Sequence, residues 1–142
     1  MASHCGKEFL KSSMSSLSYT GSYWMSAVPF AAGIACINKL KALDAPKLFR
    51  EKGLKLTTGL KEVAAANGFN LVVSGEPALF YLRVADDDSL LIHQDWVQEM
   101  VHRGIYITSH HNHFLNASLT DEDIARTCEV ADDAFKAIRS KY

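Results

Sequence analysis

Residues 71–84 read LVVSGEPALFYLRV, and the reading of this stretch decides the fold class. Leu71 to Val73 and Leu79 to Val84 are short runs of β-branched and aromatic residues, the composition that suits a pleated, half-buried surface. Between them, Ser74-Gly75-Glu76-Pro77 has turn chemistry, so the two runs are expected to be a pair of strands. On either side the apolar residues return to helical spacing.

Upstream, Ser26 can cap a helix, Pro29 is tolerated in its first turn, and Phe30, Ile34, Ile37 and Leu40 recur at helical spacing up to about Leu43. Ala31, Ala32, Gly33 and Ala35 are small enough to let another backbone approach closely. Asp44 is expected to cap a second helix with Pro46 in its first turn; Leu56, Leu60, Val63 and Ala64 form its apolar stripe, and Asn67-Gly68 stops it. Downstream, a helix from Leu90 to His102 carries Trp96, Val97, Met100 and Val101 on one side and ends at Gly104. Ile105 to Thr108 reads as a third strand. The last helix is the best marked: Thr120 with Asp123 forms a capping-box-like start, and Ile124, Cys128, Ala131, Phe135 and Ile138 follow the helical period.

The order helix, helix, strand, strand, helix, strand, helix predicts an α+β fold: a small, largely antiparallel sheet of three to four strands covered by helices on one face. Residues 1–25 are Ser-rich with only short apolar groups and read as an N-terminal arm, leaving 26–142 as one α+β domain. No internal repeat is evident.

With 142 residues, 48% of them apolar, the chain can bury one core but not two full domains. Fifteen basic residues against 16 acidic ones leave no electrostatic footprint for nucleic acid or an anionic membrane. Cys5, Cys36 and Cys128 are odd in number and widely spaced, and the last two sit on helical stripes as small hydrophobes, which fits a reducing compartment. With no apolar run of about 18 residues and no basic, then apolar, N-terminus, a soluble, cytoplasmic protein is expected.

Four stretches carry a resemblance to a known family. Gly21-Ser22-Tyr23-Trp24 with Ala27-Val28-Pro29-Phe30-Ala31-Ala32-Gly33 resembles a segment of class III pyridoxal-phosphate aminotransferases close to glutamate-1-semialdehyde 2,1-aminomutase. Ser74-Gly75 with Phe80-Tyr81-Leu82-Arg83 looks like that family's strand pair. Arg103-Gly104-Ile105-Tyr106-Ile107, then His110-His111-Asn112 and Phe114-Leu115, is similar to the active-site edge in some of its members. Leu119-Thr120-Asp121-Glu122-Asp123-Ile124, followed by Ala131-Asp132-Asp133-Ala134-Phe135, resembles its closing helix. Leu119 stands where a histidine is usual, and Met25-Ser26 replaces a polar pair.

The resemblance implies the C-terminal domain of a fold-type I coenzyme-dependent enzyme. It also implies that the Schiff-base lysine lies upstream, since Met1-Ala2 and Gly6-Lys7-Glu8 look like the tail of the segment that follows that lysine. None of the ten lysines here is in an evidently desolvated setting, and Lys39, Lys41, Lys47, Lys52, Lys55 and Lys61 fit solvated helix faces, so no catalytic residue is assigned. Pyridoxal 5'-phosphate is the cofactor implied for the intact parent, and this chain alone is expected to bind none.

Gly21 and Ser22 are the cofactor-binding candidates: a glycine lets backbone amides approach a phosphate, and a hydroxyl can donate to it. Taken alone, Thr20-Gly21-Ser22 is an ordinary turn. In the family this position reaches the phosphate of the partner subunit's coenzyme, which implies a homodimer. Arg83, His110, His111 and Asn112 are the substrate-cleft candidates; an arginine's planar fork suits a carboxylate, although a lone arginine ending a strand is commonly solvated. His111 and His113, two apart, could share an ion on a strand, but no further ligand set completes a site, so no metal is expected. Asp86-Asp87-Asp88 lacks the spacing of a calcium loop and reads as a solvated turn, and Tyr23 and Trp24 read as packing residues.

The function expected from these readings is a piece of an aminotransferase or aminomutase that contributes to the substrate cleft and the dimer interface and is not catalytic alone. Its partners would be a second copy or an N-terminal coenzyme-binding portion. The competing reading is a stand-alone dimerisation or interaction module, and a small zinc enzyme built on the histidines is a third.

Overall fold

The computed structural model describes residues 21–23 and 26–142. The proposed arm, with Cys5, Lys7 and Lys11, and the packing candidate Trp24 therefore lie largely outside the described residues. The elements are α1 (Ala27–Ala42), α2 (Ala45–Ala66), β1 (Leu71–Glu76), β2 (Leu79–Val84), α3 (Leu91–His102), β3 (His113–Phe114) and α4 (Asp121–Arg139). The α1 helix belongs to one compact unit, and the residues from Asp44 to Tyr142 form another.

In the first unit, α1 forms where the helical spacing placed it, although Ser26 makes no side-chain cap. None of its residues is buried: Val28, Phe30, Ile34 and Ile37 are all exposed, and so is Cys36.

The second unit is an α+β layer pair. β1 and β2 are antiparallel, with Leu71 opposite Val84 and Glu76 opposite Leu79, and β2 pairs with β3 through Leu79–Phe114 and Phe80–His113. Alternation along β2 buries Phe80, Leu82 and Val84 and leaves the other face open, as period-2 side chains require. The buried face joins Leu56, Leu60 and Ala64 of α2, Trp96 and Met100 of α3, and Ile124, Ala131, Phe135 and Ile138 of α4 in one core. At about 1.5–3 kcal/mol for each large apolar side chain, this burial is what holds the helices on the sheet.

Local chemistry sets the helix limits. Thr120 Oγ1 accepts from the Asp123 N–H at 3.1 Å while Asp123 Oδ2 accepts from the Thr120 N–H at 2.8 Å, a reciprocal cap for α4. The Thr120 backbone N–H and then the Thr120 hydroxyl, which also donates to Asp123 Oδ2 at 2.8 Å, hold the Asp123 carboxyl below its usual range. α2 begins at Asp44, but this residue is left-handed and its side chain does not cap.

Two expectations about the sheet need correction. Ser74, Gly75 and Glu76 continue β1, so the turn is Pro77-Ala78 rather than Ser74 to Pro77. Ile105 to Thr108 is not a strand; the third strand is His113–Phe114. The Ile105 N–H is taken by the Met100 carbonyl at the end of α3, and Ile105 and Ile107 pack against the core as a connecting segment.

Candidate functional site

The described candidates in the second unit gather around the end of β2 and the segment that follows α3. Arg83 lies on the open face of β2, and its Nη2 donates to the Asp87 carbonyl at 3.3 Å. The solvated-turn reading holds for Asp86 and Asp88 and fails for Asp87, which is 3% exposed. Asp87 Oδ2 accepts from the His93 N–H at 2.8 Å and Oδ1 from the Ser89 hydroxyl at 3.0 Å. The cause is the start of α3: its N-cap is Leu90, an apolar residue in the left-handed region, and its first turn has no acidic residue. A carboxylate from upstream therefore satisfies a first-turn donor. Asp87→Ala should lower stability by about 1–2 kcal/mol, the range of a lost cap, read from urea unfolding; an unchanged midpoint would contradict this role.

His93 lies beneath Asp87 and is 1% exposed, with the Ser109 backbone beside its ring. Burial pushes its pKa below 6.5; the Ser109 backbone and the Asp87 carboxylate oppose this, and His110 and His113 add to it. Arg83, Asp87, His93, Ser109 and His110 thus form one neighbourhood, assembled from β2, α3 and the connecting segment.

His110, His111 and Asn112 are exposed. Ser109 Oγ is 2.8 Å from His110 Nδ1, and the segment is tied to the sheet by the Tyr81 hydroxyl, which donates to the Ser109 carbonyl at 3.1 Å. His113 turns the other way: it is stacked on Phe80 at 5.3 Å, and its Nε2 accepts from the Thr108 N–H at 3.4 Å. His111 is exposed in a bend and sits against Phe114, so the two imidazoles do not share a face. Among the described residues, no group of three or more His, Cys, Asp or Glu could hold a metal.

Burial also lowers the pKa of His113. Both histidines are therefore neutral in the folded state at a pH where the unfolded chain already takes up protons, so the unfolded state binds more protons below pH 6.5. Stability should be level above that pH and fall as the pH drops through and below it. The loss of the depressed carboxylates, such as Asp95, begins only near their ordinary value of 3.8. Urea midpoints at pH 7.5 and 5.5 check this; His93→Leu should flatten the slope, and a slope unchanged by it would exclude His93 as the cause.

Gly21 and Ser22 belong to the unit of α1 and lie in an exposed turn. Gly21 has φ +146°, a conformation L side chains rarely adopt, and open space surrounds the position of a Cβ. The described cations of this unit, Lys39 and Lys41, lie in the last turn of α1. Of the helix lysines, Lys52 is half-buried and donates to the Leu119 carbonyl, while Lys47, Lys55 and Lys61 are exposed. Cys128 is half-buried, and burial, then Glu62, raises its thiol pKa, which opposes nucleophilic use.

Sequence reasoning missed Asp87 and His93. The available signal was a helix start at Leu90 without a capping side chain of its own, which calls for an acceptor just upstream.

No family model matches the chain. An aminopentol aminotransferase from Sphingopyxis macrogoltabida is 32% identical over 119 residues, covering 84% of this chain and 28% of that protein. A glutamate-1-semialdehyde 2,1-aminomutase from Caldivirga maquilingensis is 24% identical over 135 residues, 85% of this chain and 31% of that protein. The FumI protein of Sphingopyxis sp. MTA144, solved in its PLP internal aldimine form, superposes with a TM-score of 0.89 at 29% identity over 96% of this chain and 33% of that one. The chain's relatives are thus aminotransferases and aminomutases, and it spans about a third of their length or less. Among the described residues, no helix is long and apolar enough to cross a membrane.

Proposed function

We propose that this chain is the C-terminal part of a pyridoxal-phosphate-dependent aminotransferase or aminomutase, supplying one wall of the substrate cleft and part of a dimer interface, and unable to transfer an amino group by itself. The observation that carries the reading is the likeness of nearly the whole chain to one third of the FumI protein, at 29% identity and a TM-score of 0.89. The exposed apolar residues of α1 support an interface role, since a helix with no buried side chain is stabilised by covering that surface.

When bound, the coenzyme supplies the electron sink that lets an amino group leave one carbon and join another. This chain's residues would do the positioning. The Gly21 backbone and the Ser22 hydroxyl would donate to a coenzyme phosphate, in the partner subunit of a homodimer. The Arg83 guanidinium, exposed and with one Nη2 contact among the described residues, would present its other edge to a substrate carboxylate. His110, His111 and Asn112 would line the entrance, their backbone anchored through Ser109 to Tyr81.

Complementation tests the reading. The chain mixed with pyridoxal phosphate alone should leave the coenzyme spectrum unchanged. Together with the polypeptide encoded just upstream in its genome, it should form a stoichiometric complex that holds the coenzyme and shows its protein-bound visible band. An upstream region with no frame for such a polypeptide, or no complex on mixing, would sink the proposal and favour a self-sufficient module. A borohydride-fixed coenzyme adduct on Lys7 or Lys11 of the isolated chain would overturn its supporting role.

A further inference from the structure

His93 is a buried titratable group for which the proposed function has no use. It is 1% exposed, in the first turn of α3, with its ring tilted against Trp96 at 5.9 Å. Its backbone N–H closes the cap of α3 on Asp87 Oδ2 at 2.8 Å. That bond asks nothing of the side chain, since any residue except proline supplies the N–H. A leucine would fill the space beside Trp96 without taking two ring nitrogens out of water. The imidazole therefore serves something other than the cap or the core.

Ser109 is what it meets. The Ser109 backbone lies beside the ring and favours its protonated form, the effect of a carbonyl oxygen rather than of an N–H. The same carbonyl accepts from the Tyr81 hydroxyl at 3.1 Å, and a carbonyl oxygen has two lone pairs, so β2 and α3 can hold it together. Ser109 leads into the exposed run His110-His111-Asn112, and its Oγ is 2.8 Å from His110 Nδ1. On the other side of His93, Asp87, whose carboxylate takes the His93 N–H, gives its carbonyl to Arg83 Nη2 at 3.3 Å. His93 thus stands between the two groups of cleft candidates, which β2 and the connecting segment carry separately.

We propose that His93 is a positioning residue: its ring donates to the Ser109 carbonyl while its backbone holds Asp87, and the two contacts together fix His110-His111-Asn112 relative to the Arg83 guanidinium. That this spacing serves a substrate cleft rests on the aminotransferase reading; the spacing itself does not, and it is measurable in the chain alone.

The groups that face the ring set what a proton does there. Asp87 in the turn before α3 and the Ser109 backbone favour the charged ring, burial, His110 on the connecting segment and His113 on β3 disfavour it, and Arg83 meets Asp87 at its carbonyl. A proton on His93 strengthens its pull on Ser109 and on Asp87 at once. Both ends of the link should respond to one titration.

NMR on the full chain labelled with ¹⁵N and ¹³C tests this. Between pH 7.5 and 5.5 the Arg83 Nε–H resonance should move with the same midpoint as the His93 ring protons, and so should the Ser109 carbonyl carbon. Ser109 is also open to the titration of His110, so Arg83 is the deciding group. His93→Leu should abolish the movement at Arg83 and speed amide exchange over residues 110–112 about five- to tenfold at pH 7.5, the loss of one hydrogen bond. His93→Asn and His93→Gln place an amide donor near the positions of Nδ1 and Nε2, and one of the two should return the exchange to within about twofold of the parent. An Arg83 resonance that does not follow His93 in the parent chain would overturn the link whatever the variants do. Exchange unchanged in His93→Leu, or equally fast in all three variants, would overturn the role of the ring. Failure of the complementation experiment would leave each of these results unaltered.

Discussion

Gly53→Ala is expected to cost the second unit about 3 kcal/mol, the upper part of the range for overpacking a core. A Cβ on Gly53 would lie 1.9 Å from the Pro77 carbonyl oxygen and 2.5 Å from its carbon. Both are backbone atoms of the tight turn between β1 and β2, so no rotamer change can relieve the contact. The turn must lift from α2 or the helix must shift, and either movement strips the Arg50–Glu76 ion pair and part of the core beneath it. Gly59→Ala provides an internal control. There the nearest atom is Cys128 Sγ at 2.7 Å, the end of a side chain that can rotate, so the cost should be clearly smaller. Urea unfolding of the two variants checks the ordering; Gly53→Ala within about 0.5 kcal/mol of the parent, the range of ordinary surface changes, would mean that helix and turn are not in contact.

Phe135→Ala should be at least as damaging. The ring is wholly buried and stacked between Trp96, at 4.9 Å, and Phe69, at 5.1 Å, so it joins α3, α4 and the segment after α2. Truncating a buried phenylalanine costs about 3–5 kcal/mol, the transfer term plus the cavity it leaves. Domains of this size have about 5–15 kcal/mol in total, so the variant should melt more than about 12 °C lower and lose the near-ultraviolet signal of Trp96. A melting point within 2–3 °C of the parent would show that the stack does not hold the layers together.

The two variants also show which parts of the fold were legible in the residues. Phe135 is read correctly from sequence because Ile124, Ala131, Phe135 and Ile138 recur with the helical period behind a Thr120–Asp123 cap, and period and cap are both local. Gly53 is not: inside a helix it reads only as a weak position, and its importance comes from a turn that arrives from elsewhere in the chain. The same division runs through the candidate site. Arg83 and the exposed run His110-His111-Asn112 could be nominated from residue type and resemblance. That Asp87 is buried under the start of α3, and that His93 is buried beside it, could not.

By itself the sequence determined the number and kind of the long elements, the antiparallel pairing of residues 71–84, and the buried stripes of α2 and α4; on α3 it marked Trp96 and Met100 but put the exposed Val101 in place of the buried His93. Side-chain periodicity and capping act within a few residues and need no knowledge of the rest of the chain. Tertiary structure decided that His113–Phe114, rather than the more β-branched Ile105 to Thr108, supplies the third strand. It also decided which polar groups lose water and which charges meet. A two-residue edge strand forms where a free backbone edge is offered, here by Leu79 and Phe80, and burial is a property of what packs above a residue rather than of its neighbours in sequence.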